Sequence, residues 1–165
     1  MGGWIRAPEV GLPQWGPEMD WNTQCDTAAA QIVADRAELT LVTLPATLKV
    51  QLRASHLQRL RASGPVGELL GRQAEIHARD TGMRELGRAH AGLPGDLLNL
   101  HYDPVATAVA LGWPGVTVEE LHLLPVMEGA VLRFQLSHSG RRTSVVTDVN
   151  ASEFTELWLT TVERI

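Results

Sequence analysis

The stretch Asn99-Leu100-His101-Tyr102-Asp103-Pro104 decides the fold, because it places a polar break between an apolar run and a helix. Asp103 followed by Pro104 predicts that the helix begins here, since the carboxylate can accept first-turn N–H groups and proline supplies a preset φ. Three side chains beside this helix start can form hydrogen bonds or transfer a proton: Asn99, His101 and Tyr102. We therefore expect any chemistry of the chain to lie at the start of this helix.

Two interpretations of these residues stay open at the level of sequence. Asp103 can simply cap the helix, or it can hold a hard cation or a sugar hydroxyl beside His101 and Tyr102. His101 has the side chain of a general acid that works at neutral pH. A loop histidine is, however, more often only solvated or hydrogen-bonded.

The composition limits the class of protein. With 165 residues and 44% hydrophobic residues, the chain can bury a core, and one domain over residues 1–165 is the expected organisation. The net charge of −5, and the absence of a basic run longer than Arg141-Arg142, argue against a nucleic-acid partner. No apolar run reaches the roughly 20 residues of a membrane span, and no leader pattern is seen. The sequence thus predicts a cytoplasmic protein with no membrane partner.

The single cysteine, Cys25, excludes an internal disulfide. Its position beside an alanine-rich helix predicts a small, buried apolar side chain. Residues 1–25 carry three prolines, four glycines and three tryptophans, which predicts a long loop. Loops of this length are uncommon unless they bind something, and the tryptophans argue against disorder.

Periodicity and turn signals predict the remaining elements. Helices are expected at about 26–37, 56–62, 66–79, 83–89 and 104–111, with a final helix that Ser152 caps. Strands are expected at 39–44 and 143–149, with an antiparallel hairpin formed by 116–126 and 130–136. This order predicts an α/β fold.

The tripeptide Asp20-Trp21-Asn22 is a second candidate site, at the end of the tryptophan-rich loop. A carboxylate and an amide beside an aromatic wall can bind a polyhydroxylated ligand. The alternative is that both polar side chains only tether the loop through Asx turns.

Four ordered pieces of the chain resemble the carboxy-terminal half of the nucleoside hydrolases, the inosine/uridine-preferring nucleoside N-ribohydrolases. They are Met1-Gly2-Gly3, the loop Gln14 to Asn22, the helix opening Asn22-Thr-Gln-Cys-Asp26-Thr-Ala-Ala-Ala, and His101-Tyr-Asp-Pro-Val-Ala. The resemblance covers nearly the whole chain. It implies a partial, Rossmann-like nucleoside hydrolase sheet with flanking helices and a carboxy-terminal antiparallel hairpin.

The resemblance also implies roles for particular residues. Gln14, Asp20, Asn22 and Asp103 match positions that contact ribose, with Gln14 standing where the family usually has Asn and Asp20 where it usually has Glu. Asp103 matches the aspartate that also binds Ca²⁺, the cofactor that the family implies. The family often has His directly before that aspartate as the leaving-group acid. Here that place holds Tyr102, and His101 is one residue earlier, so either residue is a catalytic candidate.

The family's amino-terminal Asp-rich motif, which supplies most calcium ligands and the base that activates water, is not found among these residues. The expected function is therefore hydrolysis of the N-glycosidic bond of ribonucleosides with the help of an amino-terminal half, and the isolated chain is expected to be inactive. The alternative is a non-catalytic small-molecule-binding or interaction domain of the same fold. Implied partners are a ribonucleoside and either further copies of the chain or the complementing half.

Overall fold

A computed structural model describes all residues from Met1 to Ile165. Six strands form two sheets. The strands are β1 (Thr40–Val42), β2 (Gln51–Arg53), β3 (Leu97–Leu100), β4 (Val116–Glu128), β5 (Val131–Leu136) and β6 (Arg141–Val149). The main sheet has the strand order β1-β6-β4-β5, and β2 and β3 form a separate pair. Eight helices flank these sheets.

The helices follow the predicted order closely. They are α1 (Trp21–Gln24), α2 (Thr27–Arg36), α3 (Leu44–Thr47), α4 (Leu57–Ala62), α5 (Pro65–Asp80), α6 (Met83–Ala89), α7 (Tyr102–Ala110) and α8 (Ala151–Val162). The sequence missed α1 and α3, because a single turn of four residues leaves no helical periodicity to detect. No helix has the length and apolar character needed to cross a membrane.

The main sheet is mixed. β1 lies parallel to β6, with Leu41 opposite Val145. β4 is antiparallel to both β5 and β6, so the predicted hairpin is confirmed. The predicted α/β class is confirmed, with antiparallel strands on one side of a short parallel pair.

A layer of valines and one phenylalanine joins the main sheet to α7 and α8. Val146 and Val149 of β6 pack with Val105 of α7 and Phe154 of α8, and all four are buried. Removing such side chains from water is the main stabilising contribution to folding. This packing fixes the start of α7 against the sheet, which positions the residues that follow β3.

Two predicted helix caps are wrong. α7 begins at Tyr102, with His101 as its N-cap and no side-chain capping bond, so Asp103 lies inside the first turn and does not cap the helix. α8 is capped by Asn150, whose side chain accepts a hydrogen bond from the N–H of Glu153, and not by Ser152. Asn and Ser are about equally good caps, and the cap here is the Asn two positions before the predicted Ser.

The expectation for Cys25 is also wrong, because this residue is exposed. It lies between α1 and α2 at a bend of the chain. The alanine-rich helix that follows it buries no residue completely, so proximity to that helix does not bring burial.

Candidate functional site

A cavity of about 390 Å³ opens at the start of α7, and we call it the α7 cavity. Its lining comes from three parts of the chain, the amino-terminal loop with α1, the turn after β1, and the start of α7. The lining residues are Met1, Trp15, Met19, Trp21, Asn22, Leu44, Tyr102 and Asp103. The structure therefore brings together two candidates that are far apart in sequence, Asn22 and Asp103.

Asn22 is positioned by a buried carboxylate behind it. Asp20 caps α1 and is only 2% exposed. It accepts hydrogen bonds from the Gly3 N–H at 2.6 Å and from the Thr23 hydroxyl at 2.5 Å. The Asn22 amide donates to the carbonyl of Met1 at 2.8 Å, which leaves its side-chain oxygen free as an acceptor. Asp20 thus holds the loop, and Asn22 faces the cavity.

Asp103 and Tyr102 reach the cavity from the first turn of α7. The carboxylate of Asp103 is exposed and is free to bind a ligand, since it does not cap the helix. The positive end of the helix dipole favours a negative charge at this position. Burial raises the pKa of Tyr102 above its ordinary value, so its phenol stays protonated at neutral pH and can donate a hydrogen bond.

Aromatic and aliphatic side chains form the walls. Trp21 is 78% exposed, and Trp15 is held by a hydrogen bond from the Trp4 indole N–H to its carbonyl at 2.8 Å. A mostly apolar cavity with a few convergent polar groups is typical of a small-molecule site. An amide, a carboxylate and a phenol beside indole rings suit a ligand that has several hydroxyl groups and a flat ring.

Gln14 and His101 lie outside this cavity. The amide of Gln14 donates to the carbonyls of Glu9 and Leu12, both at 3.0 Å, and so ties together its own loop. His101 is 4% exposed, with its ring centroid 4.6 Å from that of Trp158. The structure therefore places these two candidates, like Asp20, away from the cavity.

The environment of His101 keeps its imidazole neutral. Burial lowers its pKa to about 4, and nearby His56 acts in the same direction. Its Nδ1 atom has no hydrogen-bond partner. The ring also packs edge-on against Phe154, with centroids 6.0 Å apart. At neutral pH this side chain has no acidic proton of suitable strength to give to a leaving group.

The residues of this chain do not form a calcium site by themselves. No group of three or more His, Cys, Asp or Glu side chains converges anywhere in the structure. Asp103 is the one carboxylate in the lining of the α7 cavity, whereas calcium takes six to eight oxygen ligands. The residues present therefore do not fit the Ca²⁺ site that the resemblance implies.

Sequence reasoning did not single out four of the lining residues: Met1, Trp15, Met19 and Leu44. A signal for Leu44 existed, because it lies two residues after the end of β1, just as Tyr102 lies two residues after the end of β3. Ligands in α/β proteins commonly bind beyond the carboxyl ends of strands. Residues that follow different strands can therefore be expected to share a site.

Comparisons with known proteins place this cavity in a known kind of fold. No family model matches the sequence, and no relative is found among curated proteins. Solved structures do match, each along 99% of this chain. They include a purine-preferring ribonucleoside hydrolase from Gardnerella vaginalis (TM-score 0.74, 22% identity), a plant nucleoside hydrolase (0.75, 18%) and an inosine-uridine preferring nucleoside hydrolase from Bacillus anthracis (0.60, 21%).

The chain is thus a mixed α/β protein with a ligand-sized cavity beyond its strands. More particularly, it has the fold of part of a nucleoside hydrolase, which confirms the predicted resemblance at the level of fold. It spans about half the length of these structures: 51% of the Gardnerella vaginalis enzyme, 52% of the plant enzyme and 49% of the Bacillus anthracis enzyme.

Proposed function

We propose that this chain is the ribose-binding part of a nucleoside N-ribohydrolase, and that the α7 cavity holds the ribonucleoside. One observation carries the proposal: Asn22 and Asp103, chosen from the sequence as ribose contacts, line one cavity of about 390 Å³. The shared fold with hydrolases that act on purine ribonucleosides and on inosine and uridine supports the choice of ligand.

Asp103 and Asn22 would form a clamp on the sugar hydroxyls. A carboxylate accepts hydrogen bonds from two neighbouring hydroxyls, and such charge-assisted bonds are about twice as strong as neutral ones. The side-chain oxygen of Asn22, which has no partner within the protein, would accept a hydrogen bond from a further sugar hydroxyl. Asp20 and Gln14 would then act indirectly, by holding the loop that carries Asn22.

Tyr102 is the better placed of the two candidate acids. It lines the α7 cavity, whereas His101 packs against Trp158. Hydrolysis adds water at the anomeric carbon, breaks the bond to nitrogen and leaves the base with the electron pair of that bond. We propose that the Tyr102 phenol donates a hydrogen bond to the departing base, which offsets the negative charge that develops there.

In this proposal the group that activates water comes from another polypeptide segment, and the isolated chain binds the sugar without hydrolysing the nucleoside. A non-catalytic binding domain of the same fold is the second candidate. The character of the lining favours it, since one carboxylate among amide, phenol and apolar side chains can bind a sugar without further chemistry.

Calorimetry with inosine and uridine tests the binding proposal. We expect the chain to bind a ribonucleoside, and we expect Asp103→Ala and Asn22→Ala each to weaken binding by at least about tenfold, because each removes a hydrogen-bond acceptor from the ligand. The matched control is Asp80→Ala at the exposed end of α5, where Asp80 pairs only with Arg79. Unchanged affinity in Asp103→Ala would overturn the site.

Measurement of base release separates the two candidates. The isolated chain is expected to release no base from inosine or uridine. If a complementing segment restores turnover, and Asp103→Ala then removes it, the hydrolase proposal is supported. Turnover by the isolated chain would refute the need for a second segment.

A further inference from the structure

A hydrogen bond between two tryptophans ties the two ends of the amino-terminal loop together. The indole N–H of Trp4 donates to the backbone carbonyl of Trp15 at 2.8 Å, across 11 positions of the chain. Trp4 is half-buried and is not part of the lining of the α7 cavity, whereas Trp15 is. The bond therefore connects the wall of the cavity to a residue that lies outside it.

The chain around Trp4 is itself held in place. Directly before it, the Gly3 N–H donates to the buried Asp20 carboxylate at 2.6 Å. Between the two tryptophans, the carbonyl of Gly11 accepts from the N–H of Gly92 at 2.9 Å. A Cβ atom on Gly92 would lie only 2.9 Å from the backbone of Gly11, so the two segments approach at a distance that only glycine permits. Trp4 is thus a fixed anchor for the loop.

Trp15 and Tyr102 rest on the same apolar cluster. The buried members of this cluster are five leucines: Leu12, Leu48, Leu93, Leu97 and Leu100. Both aromatic side chains also line the α7 cavity, so they belong to the same part of its wall. Trp21, the other indole in the lining, is 78% exposed and does not pack on this cluster. The cavity therefore has one indole that is held from behind and one that is not.

The ribonucleoside of the proposed function has a polar part and a flat part. Asn22 and Asp103 supply acceptors for the sugar hydroxyls, and Tyr102 faces the base. A base beside Tyr102 also lies beside Trp15, since both residues belong to one part of the wall. An indole face attracts a flat ring by offset stacking. An indole that is already ordered loses less conformational entropy on binding than a mobile one, which favours Trp15 over Trp21 as the wall for the base.

We propose that Trp4 is a positioning residue for recognition of the nucleobase. Its indole N–H fixes the backbone of Trp15, and the Trp15 ring then forms the surface on which the base stacks. The inference rests on the proposed function for the identity of the ligand. Trp4 acts only through Trp15, so its loss is expected to affect the part of the ligand that Trp15 contacts and to spare the sugar.

Two ligands that share a sugar separate this role from a general stabilisation of the loop. Inosine carries a base, whereas methyl β-D-ribofuranoside carries a methoxy group in its place. The affinity of the chain for each ligand is measured by titration followed with protein NMR. Trp4→Phe keeps an aromatic ring and removes the N–H donor. We expect it to weaken the binding of inosine about fivefold to tenfold and to change the binding of the riboside by less than about twofold.

Further variants control for the wall and for the substitution. Trp15→Ala removes the indole itself and should weaken the binding of inosine at least about tenfold, again with little effect on the riboside. Trp113→Phe makes the matched change at a half-buried indole in the groove between α7 and α8, and should leave both affinities unchanged. The ratio of the two affinities is the decisive quantity. Partial unfolding of a variant lowers both apparent affinities by the same factor and leaves that ratio unchanged.

The outcomes distinguish this inference from the proposed function. Equal loss of both affinities in Trp4→Phe, or no loss of either, would overturn the inference and leave the proposed function standing. A selective loss of inosine binding in Trp21→Ala but not in Trp15→Ala would assign the wall to Trp21 and would also overturn the inference. An unmodified chain that binds neither ligand would overturn the proposed function, and the inference with it.

Discussion

Helix α7 borders two spaces of similar volume and opposite chemistry, one at its start and one along its length. The α7 cavity, about 390 Å³, has the Asn22 amide, the Asp103 carboxylate and the Tyr102 phenol in its lining. The groove between α7 and α8, about 370 Å³, is lined by Trp113, Phe154 and other mostly apolar side chains, without a charged group. Volume alone therefore does not identify the site; the convergence of polar groups does.

Two neighbouring residues show how sharply the boundary runs. His101 is buried against Phe154 and Trp158, whereas the next residue, Tyr102, lines the α7 cavity. The N-cap residue and the first residue of a helix point in different directions, because the chain turns between them. The polar motif that contains both residues therefore has a structural part, His101, and a ligand-facing part, Tyr102 with Asp103. The following predictions test that division.

The largest effect is expected from Phe154→Ala on the structural side. Phe154 is buried and packs edge-on against His101 and Trp113. Loss of the ring should lower the free energy of unfolding by about 3–5 kcal/mol, measured by urea denaturation. Leu157→Ala, an exposed position on the same helix, should lower it by about 1 kcal/mol or less. An equal loss in both variants would contradict the placement of the core.

The second prediction concerns pH. The pKa of His101 is about 4 in the folded protein and about 6.5 in the unfolded chain, so the folded state binds fewer protons between these values. The contribution of the neutral His101 imidazole to the free energy of unfolding is fully present above pH 6.5. As the pH falls towards 4, that contribution is lost, and the free energy of unfolding decreases by about 3 kcal/mol. The pKa of nearby His56 is also lowered, by burial and by Arg53, which acts in the same direction.

The variant His101→Leu isolates this contribution from the general effect of acid. Between pH 6.5 and pH 4 it should lose markedly less stability than the unmodified chain. His138→Leu, at an exposed histidine, serves as the matched control and should keep the original pH dependence. An unchanged dependence in His101→Leu would show that the buried imidazole is not the titrating group.

The third prediction tests Asp20, the buried carboxylate that holds the loop carrying Asn22. Asp20→Asn turns an acceptor of bonds from Gly3 and Thr23 into a partial donor, and should cost about 1–3 kcal/mol of stability. Asp26→Asn at the cap of α2 should change stability by no more than about 0.5 kcal/mol, since Asn caps helices as well as Asp. Nucleoside affinity should fall only in Asp20→Asn. A neutral Asp20→Asn would mean that this carboxylate does not organise the loop.

The smallest effect on stability is expected for Asp103→Ala. The side chain is exposed and caps nothing, so only its interaction with the helix dipole is lost, about 0.5 kcal/mol. Thermal denaturation measures this change on the same protein whose nucleoside affinity falls at least about tenfold. A large loss of stability would assign Asp103 to the fold and not to the ligand.

Most elements longer than a single helical turn were predictable, and the single-turn helices α1 and α3 were not. The periodicity of α5 and the alternation in β5 span enough residues to be read from sequence, and both were placed within a few residues of their bounds. α1 and α3 have four residues each and are held by the caps Asp20 and Thr43. Nothing in so short a segment distinguishes a helical turn from a loop before its surroundings are known.

The site was predictable in part for a similar reason. Asn22 and Asp103 could be chosen from local residue patterns, but their convergence depends on α1 and α7 meeting at one cavity. Asp20, in the same tripeptide as Asn22, is buried, and Gln14 bonds to its own loop. Hydrogen-bonding capacity is visible in a sequence; the partner that satisfies it is not.

By itself, the sequence determined the α/β class, the carboxy-terminal hairpin and the choice of Asn22 and Asp103, because periodicity, turn signals and local motifs are short-range properties of the chain. Only the tertiary structure decided that His101 lies in the core while Tyr102 faces the cavity. Burial and strand neighbours arise from contacts between segments far apart in sequence, so no local pattern contains them.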